Sequence, residues 1–100
     1  MDQDRQRYRA EASVTTNAER KHMGRVAQLT CGLCDATGVE VHHIRMGQGG
    51  GQRAGHFLTV PLCPSCHRGP QGVHGDKTML RIKKWTELDL LADTLARLAA

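Results

Sequence analysis

A chain of 100 residues with only three aromatic side chains, Tyr8, Phe57 and Trp85, has room for one domain and too little apolar surface for its core to hold it alone. Eleven glycines weaken the backbone further, which leaves the four cysteines as the expected staple, through a disulfide or a metal. The start of the chain, Met1 to Arg7, is charged, and no apolar stretch behind it could serve as a signal peptide or span a membrane, so the expected compartment is the cytoplasm.

In that reducing compartment paired cysteines more often hold metal than form disulfides. The net charge of +4 is uneven, because after residue 86 the only Lys or Arg is Arg97, against Glu87, Asp89 and Asp93. A basic body suits a polyanion such as nucleic acid, although a solvated positive face accounts for it as well.

Residues 1–16 are polar and aperiodic and read as a mobile arm. Asn17 offers a helix cap, and from Ala18 to Gln28 good helix formers place Met23, Val26 and Ala27 on one side, with Leu29 close to it. This helix leads to Cys31. The segment Val39 to Ile44 alternates and is β-branched, as a strand should be, and Phe57 to Leu62 reads as a second one. Between them, residues 47–55 hold five glycines in nine positions, which makes a flexible loop between antiparallel strands. That loop lacks the Gly-Lys-Ser/Thr ending of a phosphate-binding P-loop.

Pro64-Ser65 can begin a short helix or turn through Cys66 and His67, which Gly69-Pro70 and Gly72 interrupt. From Thr86, over residues 86–99, Leu88, Leu91, Leu95 and Leu98 recur at spacings of three and four and predict an amphipathic helix. Such a stripe fits a terminal helix packed on its own core or a homodimer seam.

Cys31-Gly-Leu-Cys34 and Cys63-Pro-Ser-Cys66 are two Cys-x-x-Cys pairs, each able to turn two thiolates onto one tetrahedral ion, and together they would close a structural zinc site. The 28 intervening residues exceed the usual zinc-ribbon spacing, but a strand, loop and strand would bring the pairs together. Cys63 to His67 also matches the Cys-x-x-Cys-His of covalent haem attachment, which would need export and would leave Cys31 and Cys34 unexplained. Six histidines accompany the cysteines: His22 in the first helix, then His42, His43, His56, His67 and His74. His22 alone reads as a surface or satisfied core residue. On a strand His42 and His43 point to opposite faces, so two roles are natural: one ring ligates an ion while the other takes a proton from a water near neutral pH.

His42-His43-Ile44, a glycine-rich loop and then Val60-Pro61-Leu62-Cys63-Pro64-Ser65-Cys66-His67 resemble the signature of the HNH, or ββα-metal, nucleases. The resemblance covers residues 31–74, and the flanking stretches Glu19 to Leu29 and Glu87 to Leu98 are similar to those of small phage- and prophage-encoded HNH proteins, including recombination-enhancement nucleases. It implies an α+β fold: a zinc-stapled core with a two-stranded antiparallel hairpin and a short helix, flanked by an N-terminal and a C-terminal helix, all in one domain over 1–100.

By the same resemblance His42 binds a catalytic divalent metal, His43 is the general base, and His67 is a further metal ligand. His74 fills the place of a later histidine in some relatives if residues 69–72 form an insertion. The middle Asn of the signature would fall at Leu58, a departure from the pattern. His56, on the same strand face if the strand is regular, is the substitute as brace or phosphate contact, or is simply exposed at a strand start.

The activity implied is hydrolysis of DNA to 5′-phosphate and 3′-hydroxyl ends with magnesium or manganese, in a bacterial host. Imidazole ligands favour zinc, nickel or manganese in a purified sample. Arg45, Arg53 and Arg68 flank the site and can hold phosphates or be plainly solvated, and Lys83 and Lys84 can extend the contact. The partners expected are DNA and a phage or host DNA-processing protein, with no membrane. The rival from another class is a non-catalytic zinc-finger module binding DNA or protein, which explains the cysteines equally well and leaves the placement of the histidines unexplained.

Overall fold

The computed structural model describes residues 14–49 and 54–100. Residues 1–13 of the expected arm lie outside that range, as do residues 50–53 of the glycine loop, Arg53 among them.

Helix α1 spans Asn17–Ala27, and its cap is Thr16 rather than Asn17. The reason is reciprocity. Glu19 stands three residues after Thr16, so the Thr16 hydroxyl accepts from the Glu19 N–H at 3.1 Å while the Glu19 carboxylate accepts from the Thr16 N–H at 2.9 Å. The helix buries Val26 and hands the chain to Cys31, where Asp35, at φ 65°, donates to the Cys31 carbonyl and tightens the turn. Gly32 docks this turn, donating to the Pro61 carbonyl at 2.9 Å in a space where an added Cβ would stand 3.0 Å from Leu90 Cδ2.

Strands β1 (Glu40–His43) and β2 (Thr59–Leu62) pair antiparallel, from Glu40 opposite Leu62 to His43 opposite Thr59. Both are shorter than the sequence predicts. Phe57 and Leu58 belong to a turn closed by the Leu58 N–H on the Gly55 carbonyl, and only from Thr59 does the ladder run. Pro61 offers no N–H, which a two-stranded sheet tolerates because each strand has a free edge.

Helix α2 (Pro64–Arg68) starts with Pro64 after Cys63, whose sulfur accepts from the Cys66 N–H, and it ends at Gly69. The following residues fold straight back on it: Val73 donates to the Cys66 carbonyl at 2.8 Å and His74 to the His67 carbonyl at 3.1 Å. Glycine makes that approach possible. A Cβ on Gly72 would sit 2.4 Å from the Cys66 carbonyl oxygen, a backbone atom that cannot step aside. Gly72→Ala is therefore expected to lower stability by about 1–3 kcal/mol, the usual cost of overpacking. Chemical denaturation with zinc present would measure it, and an unchanged midpoint would refute the fold-back.

Helix α3 (Thr78–Lys83) was not legible in the sequence. It is bounded by Lys77 and Lys84, both at positive φ without being glycine, and its start is held by the Asp76 carboxylate, which accepts from the Thr78 N–H and hydroxyl. Helix α4 (Glu87–Ala99) begins with a second capping box, Thr86 with Asp89.

The buried face of α4 differs from the predicted stripe. Leu90, Leu91 and Thr94 are buried, whereas Leu88 is 53% and Leu95 45% exposed. Leucines occupy both sides of this helix, so spacing alone could not choose. The face that turns inward is the one that also carries Glu87, and Thr94 joins it because its hydroxyl donates to the Leu90 carbonyl. Val60, Leu62 and Leu90 form the centre of the core, with Cys31, Ile44, Val73 and Leu80 around them. The result is a small α+β fold with a two-stranded hairpin and helices on it. No helix among the described residues is long and apolar enough to cross a membrane.

Candidate functional site

The two Cys-x-x-Cys turns meet as the spacing predicts. The sulfurs of Cys31, Cys34, Cys63 and Cys66 all lie within 4.8 Å of one another, and Cys34 and Cys63 are 3.5 Å apart. Ligands about 2.3 Å from a tetrahedral zinc are about 3.8 Å from each other, so the four could bind one structural zinc. Local donors are already turned to the sulfurs, with Leu33 N–H on Cys31 and Cys66 N–H on Cys63.

Burial opposes ionisation of Cys31, yet N–H groups of Cys63, Leu33 and Cys34 outweigh it and hold the thiol down to about 7. At Cys66 burial and the neighbouring sulfurs act together and push the thiol well up. Four thiolates this close cannot all be charged without a cation among them, which is the electrostatic case for a metal here.

A second cluster is made of histidines. His42 comes from β1, His67 from α2 and His74 from the segment folded back on α2. One ligand nitrogen from each lies within 4.8 Å of the other two. His42 Nδ1 faces His67 Nε2 at 3.1 Å, and the His74 ring centre is 4.9 and 4.8 Å from those of His42 and His67.

Carboxylates fix the tautomers. His42 Nε2 donates to Glu87 at 2.5 Å, and His67 Nδ1 donates to Glu40 at 2.7 Å. A carboxylate accepts only, so in each neutral ring the proton sits on the nitrogen facing it, and the two nitrogens that face each other both present lone pairs. Two bare lone pairs at 3.1 Å repel unless a cation lies between them. That separation matches ligands about 2.1 Å from one ion at angles near 90–100°.

Both carboxylates are themselves held. Glu87 sits in the first turn of α4, where the helix dipole favours negative charge, and its other oxygen accepts from the N–H groups of Arg45 and Met46. Burial works against its charge, but the bonds from His42, Arg45 and Met46 prevail and lower its pKa. Glu40 is gripped by Arg68 through Nε and Nη2, at 2.9 and 2.6 Å, and that ion pair with the His67 bond holds its carboxyl at about 2. Partial burial, the largest cause, lowers the His74 pKa and so favours its neutral, ligating form.

His43 points away from this trio, as alternation along a strand requires, and meets His56: Nε2 to Nδ1 is 2.9 Å, with ring centres 5.1 Å apart. His56 reaches it from the turn before β2, not from a regular strand face, because Thr59 pins that turn with its hydroxyl on the His56 carbonyl. Leu58, at the place expected of Asn, is partly exposed and bonds through its backbone alone, its N–H on the Gly55 carbonyl and its own carbonyl accepting from Ile44.

Of the three arginines expected near phosphate, Arg68 is engaged by Glu40, Arg45 lines a cavity beside Glu87, and Arg53 falls outside the described residues. Lys83 lies over the Trp85 ring, 4.4 Å from its centre. His22 is half-buried: its ring leans on Phe57, and its buried Nε2 has no hydrogen-bond partner among the described residues.

Sequence reasoning missed Glu40 and Glu87. The first was hidden as a polar position on a strand and the second as part of an acidic tail. Compared with known proteins, the chain matches no family model, no curated protein and no solved structure.

Proposed function

We propose that this protein is a metal-dependent endonuclease of the HNH type that hydrolyses DNA phosphodiester bonds. The observation that carries the reading is the pair of imidazole nitrogens of His42 and His67 that face each other at 3.1 Å, backed by Glu87 and Glu40 and joined by His74, one residue along the chain from a second, separately held histidine pair.

Phosphodiester hydrolysis needs an activated water, charge compensation at the phosphate and help for the departing 3′-oxygen. A divalent ion bound by His42, His67 and His74 would supply Lewis-acid charge to the phosphate and the leaving oxygen. Magnesium or manganese is the working ion in this reading, and the imidazole set also accepts zinc or nickel. Glu87 and Glu40 orient the ligand rings and raise their basicity. His43 takes the proton from the attacking water, and His56, bonded to His43 Nε2, keeps that ring in one orientation as the expected middle Asn would have done indirectly. Arg45, two residues beyond His43, is placed to hold a flanking phosphate. The structural zinc keeps β2 and α2 in register with the first cysteine turn, and so keeps His67 opposite His42. The motif that carries the resemblance also brings with it a phage or prophage origin and work in the bacterial cytoplasm.

The test is supercoiled plasmid incubated with zinc-loaded protein and magnesium, manganese or a chelator, with zinc content checked afterwards. Nicking or linearisation that needs the added ion is the expected result. No cutting with any ion, together with retention of DNA without one, would replace the nuclease with a zinc-finger binding module.

A further inference from the structure

Beside the histidine cluster, a cavity of about 500 Å³ opens between the end of β1, α3 and the start of α4. Its walls are apolar at Val73 and Leu80, aromatic at Trp85 and cationic at Arg45, Lys77 and Arg81. We propose that this cavity receives one unpaired nucleotide of a DNA strand, next to the bond being cut, so that the preferred substrate carries a single-stranded segment; the proposal rests on the nuclease reading and names its substrate class.

The volume is that of a small-molecule pocket, and a base inside a duplex is held between its stacked neighbours and its paired partner, out of reach of such a recess. Only a base that has left its stack could enter, as in enzymes that work on extruded or single-stranded nucleotides. Inside, a base needs a π-face and apolar contact, which Trp85 and Leu80 provide, while its phosphate needs cations at the rim.

The cations are suitably placed. Arg81 is braced by the Asp76 carbonyl and the Thr78 hydroxyl, so little freedom is lost when it meets a phosphate. Among the described residues Lys77 has no ion pair, and it is held at the mouth by a left-handed turn at φ 65°.

The cavity is also joined to the proposed chemistry. Glu87 lines it and at the same time accepts from His42 Nε2, and Arg45 and Met46, which line it too, donate their N–H groups to that carboxylate. A strand running past His42 would therefore bring the neighbouring nucleotide to the mouth of the cavity. Trp85 is the chain's single tryptophan, so its emission reports on this place alone.

The experiment is a fluorescence titration of the zinc-loaded protein, without added magnesium or manganese, using a thymidine 12-mer and, separately, a blunt duplex of equal length. Saturable quenching by the single strand, with at least about fivefold weaker binding of the duplex, is expected. By anisotropy of a labelled 12-mer, Trp85→Ala should bind about five- to hundredfold more weakly and Trp85→Phe, which keeps a stacking face and the packing, should bind within a few-fold of the original. Lys77→Gln, at an exposed position, should weaken binding and reduce the slope of log affinity against log salt by about 0.7.

Equal affinity for single strand and duplex, or no change in either Lys77→Gln quantity, would overturn the assignment even if the plasmid is cut. Quenching and variant effects as expected with no cutting would instead retain the nucleotide pocket and remove the nuclease.

Discussion

With zinc as the ion proposed for the four-cysteine site, its removal is expected to unfold the domain outright. In small zinc modules the ion contributes about 10–16 kcal/mol at neutral pH, as much as the about 5–15 kcal/mol that holds a typical domain together. A zinc on the four sulfurs would tie the turn after α1 to the end of β2 and the start of α2, and the core beside them centres on little more than Val60, Leu62 and Leu90.

Without the ion, the buried Cys66 thiol and its neighbours lose the charge compensation that lets them ionise together. Circular dichroism and Trp85 emission followed during chelation should show one cooperative loss of structure, reversed by stoichiometric zinc. Cys66→Ser should behave as the chelated protein does. A chelated sample that kept its thermal transition at the original temperature would show that the hydrophobic core suffices.

The cysteine pairs, the hairpin and the two flanking helices were legible because each has a local physical signature: Cys-x-x-Cys turns, β-branched alternation, and good helix formers bounded by polar caps. The short helix at Thr78–Lys83 had none. It is made by Asp76 capping Thr78 and by Lys77 in a left-handed turn, which propensity alone argues against.

The inward face of α4 was misread for a related reason. Leu88, Leu90, Leu91, Leu95 and Leu98 surround the helix, and the face that turns inward carries Leu90 and Leu91 together with Glu87, whose partner His42 lies 45 residues away in sequence. The histidine trio shows the same divide. The sequence could nominate His42, His67 and His74, but the return of His74 depends on Gly72 packing against the Cys66 carbonyl, a contact with no linear signal. Nor could it show that Arg68 is engaged by Glu40, because the pairing lies across β1 and α2.

Replacing His43 and replacing Glu87 should damage cleavage in two distinguishable ways. His43 lies on the opposite side of β1 from the cluster and touches none of its three rings in the contacts described, so His43→Ala should leave both zinc retention and affinity for the second metal unchanged. Loss of a general base typically costs roughly 10²–10⁴-fold in rate, and that loss should persist at saturating metal. Glu87→Gln is close to isosteric, but it brings one side-chain oxygen where Glu87 uses two, so it keeps either the bond to His42 or those from the Arg45 and Met46 N–H groups and turns its NH2 to the other. Lost in either case is the negative charge that, in the proposed reading, would make His42 a stronger ligand. Removing such a partner usually weakens metal binding by about 10–100-fold, and raising the magnesium or manganese concentration should restore the rate. Plasmid cleavage measured across a metal titration separates the two. A His43→Ala defect that metal rescues would move His43 from proton transfer to metal binding. A Glu87→Gln defect that metal does not rescue would mean that Glu87 acts on the reacting phosphate rather than through His42.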